Sequence, residues 1–485
     1  VEEEAPELIP RGVAPSVARG PPAAPAAPRR VRRLKGPAMS MLHSLVAAAL
    51  LAACSNLSAQ ATRPSVPAFP GAEGFGAVST GGRGGAVVRV TNLDDDGPGS
   101  LREALRGGHR TVVFDVSGTI HLQSRLTVSQ PHVTIAGQTA PGDGIALAGH
   151  ELFIAHTHDV IVRFLRVRPG DVANKEHDAL TIWNARRVII DHCSLSWSTD
   201  SLNDVVKGSG EITVQWSLLA EPLNRSVHVK GAHAYATGWD GRDGGASYHH
   251  NLIAHAASRT PRIEKSEGDI LTDVRNNVIY NWGFGGAYGG EHAKVNFADN
   301  YFRAGPDSKR VDRFFYGITP ATRLFVAGNV MDAPDMPEQR EKIAAINADS
   351  RAGVDVSDPS ILGVALLTTP HPAAAVTTRP AAEAYELVLE RVGAVRPKRD
   401  AVDARIVADV RSRGGKIIDS QADVGGWPTL QSAPPKPDRD GDGMPDEWES
   451  RHRLDPDDPA DGARIDPASG YTPLERYLAE LAEFR

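Results

Sequence analysis

The sequence predicts an all-β fold: a right-handed parallel β-helix (solenoid) with a small helical C-terminal extension. Three observations predict it. First, a five-residue pattern recurs: Asp191-His192-Cys193-Ser194-Leu195, Val214-Gln215-Trp216-Ser217-Leu218, His249-His250-Asn251-Leu252-Ile253, Arg275-Asn276-Asn277-Val278-Ile279, Ala298-Asp299-Asn300-Tyr301-Phe302 and Ala327-Gly328-Asn329-Val330-Met331. Its centres at 193, 216, 251, 277, 300 and 329 are separated by 23, 35, 26, 23 and 29 residues. A floor in the low twenties with variable excess is the spacing of a solenoid with loop insertions. Second, helical periodicity is absent across this stretch. Third, 47 glycines favour tight turns over long helices.

Residues 1–61 read as a leader and signal peptide, disordered or removed, and stand outside the fold. The apolar run Leu45–Cys54 is too short to span a bilayer but suits a signal-peptide core. Leu51-Ala52-Ala53-Cys54 resembles a bacterial lipobox, which would place a lipid anchor at Cys54, and Ala59-Gln60-Ala61 is a rival cleavage signal. Either one implies export: extracellular, periplasmic or as an outer-membrane lipoprotein. Met39 and Met41 are alternative starts.

Residues 62–345 are expected to form the solenoid, because short strands cannot bury their apolar faces without stacking. Strands at Val112–Val116, His132–Ala136 and Val160–Val167 belong to the same stack. Asn251, Asn277, Asn300 and Asn329 should align in one internal amide column, as scaffold. Gly81-Gly82-Arg83-Gly84-Gly85 reads as a tight turn, since it lacks the strand-turn-helix context of a nucleotide site. Residues 346–425 are a linker and helical wrap, with helices over Ala382–Val392 and Ala401–Arg413.

Residues 426–485 form an EF-hand-like tail. Asp438, Asp440, Asp442, Gly443 at loop position six, Asp446 at nine and Glu449 at twelve follow the spacing of a calcium loop. Oxygen ligands at alternate positions wrap a hard cation, and the glycine permits the sharp turn. Gly470–Glu475 looks like a partner element without metal ligands.

The chain carries a net charge of −7, with 41% hydrophobic and 23% charged residues. The acidic balance argues against nucleic acid as a partner. It leaves room for a polyanion met by a local basic cleft or a bound cation. Two cysteines, Cys54 and Cys193, exclude a disulfide framework. A monomer is expected.

Between Asp178 and Arg262 acids come first and bases follow. Glu176, Asp178, Asp200 and Asp204 are succeeded by Lys230 and by Arg259-Thr260-Pro261-Arg262. Such a scaffold places a cation site beside an anion-handling site and suits an acidic polymer. Paired carboxylates also permit glycoside hydrolysis, so a hydrolase remains an alternative. So does a non-catalytic protein that binds acidic polysaccharide. Elimination on a uronate would use calcium and cationic side chains against the charge that builds on the carboxylate.

These residues carry a resemblance. Ala68-Phe69-Pro70-Gly71-Ala72-Glu73-Gly74-Phe75-Gly76, Ile190-Asp191-His192, His249-His250-Asn251 and the Arg-x-Pro-Arg box at 259–262 resemble pectate lyases of polysaccharide lyase family 1, over roughly residues 66–345. The resemblance implies calcium-dependent β-elimination of polygalacturonate. It implies Arg259 as Brønsted base and Lys230 as binder of the substrate carboxylate, with Lys207 as a competitor for that role. It implies Glu176 with Asp178, and Asp200 with Asp204, as two pairs of calcium ligands. Family members often carry a further arginine where this chain has Glu264; Arg262 is the candidate to replace it, in both catalysis and substrate binding. Neighbouring Ca²⁺, Lys230 and Arg262 are expected to favour the neutral form of Arg259. Activity is expected at alkaline pH and is expected to vanish with chelator.

Overall fold

The computed structural model describes residues 66–242, 244–265 and 270–484. The leader, including Cys54 and both candidate cleavage signals, lies outside these residues. Among the described residues, no helix is long and apolar enough to cross a membrane.

The strands stack into three parallel sheets, one of eleven strands (sheet A) and two of nine (sheets B and C). Each rung gives one strand to A, then B, then C. His158–Arg163, Arg166–Arg168 and Leu180–Trp183 make one such rung, and Arg186–Asp191 begins the next. The chain is therefore the parallel β-solenoid expected from the repeat. Its interior is built of aligned apolar columns. Ile135, Val162, Ile190, Val214, Tyr248, Val274, Phe297 and Val326 stand in register along sheet A, each at most 3% exposed. Burying side chains of this size contributes about 1.5–3 kcal/mol apiece.

The A-to-B corner explains the repeat. Phe164, His192, Trp216, His250, Asn276, Asp299 and Gly328 all adopt φ between 50° and 67°. This left-handed residue turns the chain sharply and recurs on seven successive rungs. The next residue points inward and builds the amide column. Asn251 Nδ2 donates to Asn277 Oδ1, Asn277 Nδ2 to Asn300 Oδ1 and Asn300 Nδ2 to Asn329 Oδ1, each at 3.0 Å. Below them, Ser217 N donates to Asn251 Oδ1 and Cys193 N to Ser217 Oγ. Ser217, not Trp216, is therefore the centre of the second repeat. The expected alignment slips there by one residue, and Trp216 belongs to the outer corner, stacked 4.3 Å from His250. A one-residue slip exchanges inside for outside.

The expected helices form over Ala381–Arg391 and Ala401–Ser412. Their apolar faces (Tyr385, Val388, Ile406, Val410) cover Trp197, Leu218, Leu252, Val278 and Tyr280 on sheet B. Asp400 caps the second helix at Asp403 N and pairs with buried Arg168 at 2.6 Å. The segment before them wraps sheet A: His371 N donates to Asn296 Oδ1 and Arg379 N to Asn276 Oδ1. Val354–Asp355 and Leu366–Leu367 still pair with the sheets. The solenoid thus runs past residue 345, a position inside the helix Arg340–Ala348, which the sequence did not signal.

The opening segment lies on sheet A. Gly76 N donates to Thr213 Oγ1 at 2.9 Å, and a Cβ on Gly76 would stand 2.3 Å from Val188 O. Only glycine admits that approach. Residues 80–85 form the expected turn. The cover over sheets A and B leaves the outward residues of sheet C, among them Phe153, Trp183, Asp204, Arg262, Tyr288 and Tyr316, partly exposed.

Candidate active site on sheet C

The A-to-B corners of these rungs take two residues, whereas the B-to-C connections take four to fourteen and stack beside sheet C. Residues 169–179, 197–200, 221–234 and 255–261 join successive B strands to C strands. Glu176 and Asp178 stand on the first, Asp200 on the second, Lys230 on the third and Arg259 on the fourth. Residues 83 positions apart in sequence are thereby brought to one face.

The strands add a row of their own. Phe153, Thr181, Asp204, Gly238, Arg262, Tyr288 and Tyr316 are cross-strand neighbours across sheet C. Adjacent strands lie about 4.8 Å apart, so the row suits an extended polymer lying along the solenoid axis. Its ends are aromatic. Phe153 and Trp183 lie 6.3 Å apart at one end, with the Arg125 guanidinium 4.2 Å from the Phe153 ring. Tyr288 and Tyr316 stack at 5.0 Å at the other, with Arg313 4.0 Å from Tyr316. A cavity of about 540 Å³ opens beside the acidic half, lined by Arg125, Phe153, Glu176, Asp178, Trp183 and Asp200 among others.

The carboxylates are held differently. Asp178 accepts from Thr181 Oγ1 at 2.6 Å and from Ser201 N at 3.0 Å. Burial, then the charges of Asp204 and Asp200, push its carboxyl well up. Asp204 Oδ1 is buried without a hydrogen-bond partner. Burial and the charges of Asp200 and Glu264 outweigh the attraction of Arg259 and raise the Asp204 carboxyl to about 6. Asp200 goes the other way: burial would raise it, but the hydrogen bond from His233 Nε2 at 3.0 Å and nearby positive charge lower it. Glu176 is exposed, and its Oε1 accepts from Val229 N at 2.8 Å. An unpartnered buried carboxylate oxygen among repelling acids fits a hard divalent cation, which takes carboxylate and other oxygen ligands. Asp204 meets that test, with Asp178 raised beside it; Asp200 is partnered by His233, and Glu176 stands at the exposed margin.

Sequence reasoning missed two neighbours. His228 and His233 stack at 3.6 Å and, with Asp200, bring three ligating atoms within 4.8 Å of one another. The signal was available as His228-Val229-Lys230-Gly231-Ala232-His233.

Among the bases, Arg259 adopts φ 58°. Its Nη1 donates to Ser201 Oγ at 3.3 Å, its Cζ lies 4.7 Å from the Tyr235 ring, and its Nε is buried without a partner. Burial lowers its pKa, but Tyr288, Asp204, Asp200 and Glu264 outweigh burial and raise it. The expected help from Lys230 and Arg262 is not what governs Arg259; Tyr288 and the surrounding carboxylates do. Lys230 is exposed, and its side chain makes no ion pair among the described residues. Lys207 is exposed at the far end of its strand, 5.5 Å from the Trp183 ring, beside the aromatic end of the row. Arg262 Nε lies 3.4 Å from Glu264 Oε1. Glu264 thus faces inward to the acids: its Oε1 and Asp204 Oδ1 stand 2.8 and 3.0 Å from where a Cβ on Gly238 would be.

The tail residues gather elsewhere, against the first strands of sheet A. Asp438, Asp440 and Asp442 bring carboxylate oxygens within 4.8 Å of one another, and Asp442, Glu449 and Asp461 do the same. Asp446 is not among them. It turns outward to accept from Arg439 N at 2.9 Å and Arg439 Nε at 3.0 Å. Asp461, on a later turn, takes the place expected for it.

Three comparisons place this geometry among known proteins. A family model described as pectate lyase matches residues 38–314. The chain is 38% identical over 427 residues to a "Probable pectate lyase C" of Aspergillus fumigatus, covering 85% of this chain and 93% of that protein. It is 37% identical over 451 residues to a "Probable pectate lyase C" of Emericella nidulans, covering 91% and 97%. In three dimensions it resembles jun a 1, the major allergen from cedar pollen, with a TM-score of 0.50 at 20% identity over 66% of this chain and 92% of that one, a likeness of fold. Family model and relatives agree over most of the chain: it belongs to the pectate lyase family.

Proposed function

We propose that the protein is an exported, calcium-dependent pectate lyase that cleaves α-1,4-polygalacturonate by β-elimination and leaves 4,5-unsaturated uronate ends. The observation that carries this reading is the sheet C row, where Asp204, repelled by Asp178 on the connection beside it, leads through Gly238 to Arg262, with Arg259 beside them. A neutral sugar polymer would gain nothing from that arrangement, whereas a polyuronate matches it in charge and length.

In this reading the row and its aromatic ends hold the chain, and Lys230 binds the carboxylate of the residue to be cut. Arg262 supplies a second positive charge, and Lys207 contacts the substrate beyond Trp183. Arg259, fixed by Ser201 and Tyr235, takes the proton from C5. The electron pair forms the C4–C5 double bond, the C4–oxygen bond breaks, the departing oxygen takes a proton from water, and the hydroxide left takes the proton back from Arg259. Asp178, Asp200 and Asp204, with Glu176 at the margin, would hold calcium, which would supply positive charge near the substrate carboxylate and offset the acids that keep Arg259 protonated. The same acids would otherwise make an arginine base unworkable at ordinary pH.

The test is the ultraviolet absorbance of unsaturated product during incubation with polygalacturonate, with and without added Ca²⁺. A calcium-dependent rise supports the lyase. New reducing ends without absorbance would point to a hydrolase on the same fold, and binding without either would leave a carbohydrate-binding protein. Export rests on Leu45–Cys54, with lipid attachment at Cys54 as one form of it.

A further inference from the structure

The tail carries chemistry that sheet C does not use. In its loop each aspartate gives oxygen to a backbone amide. Asp438 Oδ1 accepts from Gly441 N at 2.8 Å and Oδ2 from Gly443 N at 3.1 Å. Asp440 Oδ1 accepts from Asp442 N at 3.2 Å, and Asp442 Oδ1 from Met444 N at 2.9 Å. Further along, Asp461 Oδ2 accepts from Asp455 N at 3.0 Å. These bonds aim the remaining oxygens. Asp440 Oδ2, Asp442 Oδ2, Asp461 Oδ1 and both oxygens of Glu449 are buried with no partner. Glu449 is 0% exposed, Asp442 3% and Asp461 6%. Asp442 belongs to both close groups and joins them, so the five carboxylates lie side by side. Gly462 closes in on them, since a Cβ there would meet Asp442 Oδ2 at 2.0 Å.

Bare, buried carboxylate oxygens converging in this way call for a cation. A set made only of carboxylates, on three separate segments, suits calcium, which accepts many oxygens in flexible geometry; magnesium demands stricter octahedral geometry and retains water.

The surroundings say what such an ion would do. The loop lies on strand Ala86–Val90, which ends the eleven-stranded sheet and has a strand neighbour on one side only. Asp438 pairs with Arg89 of that strand, and Arg89 Nε also holds Asp115 at 2.8 Å. Met444, Trp448, Leu474, Tyr477 and Leu478 pack on Ala136 and Val87. Glu475 of the last helix pairs with Arg83 at 2.8 Å. These contacts lie on the outward face of the first strands of sheet A, since the inward side chains there, Val88, Val90, Val112 and Phe114, belong to the interior cluster, which the helix Leu101–Ala104 joins through Leu101 and Ala104.

We propose that one calcium ion, bound by Asp438, Asp440, Asp442, Glu449 and Asp461, clamps the carboxy-terminal module onto the amino-terminal edge strand of the solenoid, separately from the sheet C site. The ion ties the loop, the helix Asp446–His452 and the turn before the last helix into one unit. Without it the five carboxylates repel and that unit loosens its hold on Ala86–Val90.

The experiment uses the full-length protein, stripped with chelator and titrated with Ca²⁺ by calorimetry. Asp461→Asn and Glu449→Gln are each expected to bind one calcium fewer than wild type, or to bind it at least tenfold more weakly, whereas Asp446→Asn matches wild type. Unchanged stoichiometry and affinity in Asp461→Asn and Glu449→Gln would overturn the site. Hydrogen exchange on the wild-type protein needs no variant. Chelation is expected to lower protection of Ala86–Val90 and of the helix Pro473–Ala482 at least tenfold; unaltered protection there would overturn the clamp. Neither readout depends on lyase activity.

Discussion

Asp204 and Arg262 occupy one cross-strand row of sheet C, with only Gly238 between them. Opposite charges therefore stand two strands apart, and Gly238 leaves room between them for the Glu264 and Asp204 carboxylates. Gly238 has an ordinary backbone conformation, so space rather than strain excludes a side chain. Gly238→Val is expected to displace Asp204 and Glu264, lowering kcat on polygalacturonate at least tenfold while Tm moves by only a few degrees. Near-wild-type turnover would show that the gap is not used.

Arg259 is the residue whose loss should separate chemistry from binding. Arg259→Ala is expected to reduce product formation by roughly a thousandfold or more, as for a group acting only in the transition state. Affinity for oligogalacturonate, read by calorimetry, is expected to stay within a few-fold. Comparable losses in both would assign Arg259 to binding alone.

The fold was legible because its signal is periodic. Left-handed corners on seven successive rungs, inward asparagines on four of them and recurring Val and Ile carry the signal, so one misread repeat at Trp216 did not hide the rest. The candidate site was legible in its acids and bases, whose order along the chain follows the stacked B-to-C connections. Three-dimensional proximity was not. Asp461 lies outside the twelve-residue loop, and Asp446 fits the loop spacing yet faces Arg439. Glu264 reads as a missing arginine, but its place beside Asp204 across Gly238 comes from strand pairing that no local motif encodes.

Calcium should be required for turnover. Excess chelator is expected to abolish the absorbance rise, and Ca²⁺ to restore it. Asp204→Asn, which leaves the buried oxygen in place but removes its charge, is expected to raise the calcium concentration for half-maximal activity at least tenfold. Full activity in excess chelator would remove calcium from the reaction.

The amide column should bear much of the stability. Asn277 donates to Tyr248 O and Asn300 Oδ1 and accepts from Asn251 at both its backbone and its side-chain nitrogen. Asn277→Ala leaves several buried groups unpaired, at about 1–3 kcal/mol each. Denaturant unfolding is expected to show a loss of roughly 3 kcal/mol or more, and a change under ~1 kcal/mol would make the column ornamental.

His250 gives the protein an acid limit. It is 2% exposed in the outer corner, with Trp216 stacked on it and His249 Nδ1 2.9 Å from its Nδ1. Burial, then the charge of Arg379, lowers its pKa from 6.5 to about 4. The folded state therefore prefers the neutral ring. That preference contributes fully above pH 6.5 and is lost as the pH falls towards 4, when the unfolded chain takes up the proton first. The shift corresponds to about 3 kcal/mol. His250→Asn keeps a residue tolerant of the left-handed corner, the type found one rung on at Asn276. Unfolding free energies measured from pH 7 to pH 4 are expected to fall less steeply in the variant, by about 3 kcal/mol over the interval. Buried His249, lowered in the same direction, leaves a residual slope in both proteins, so parallel curves would show that His250 is not the group that titrates.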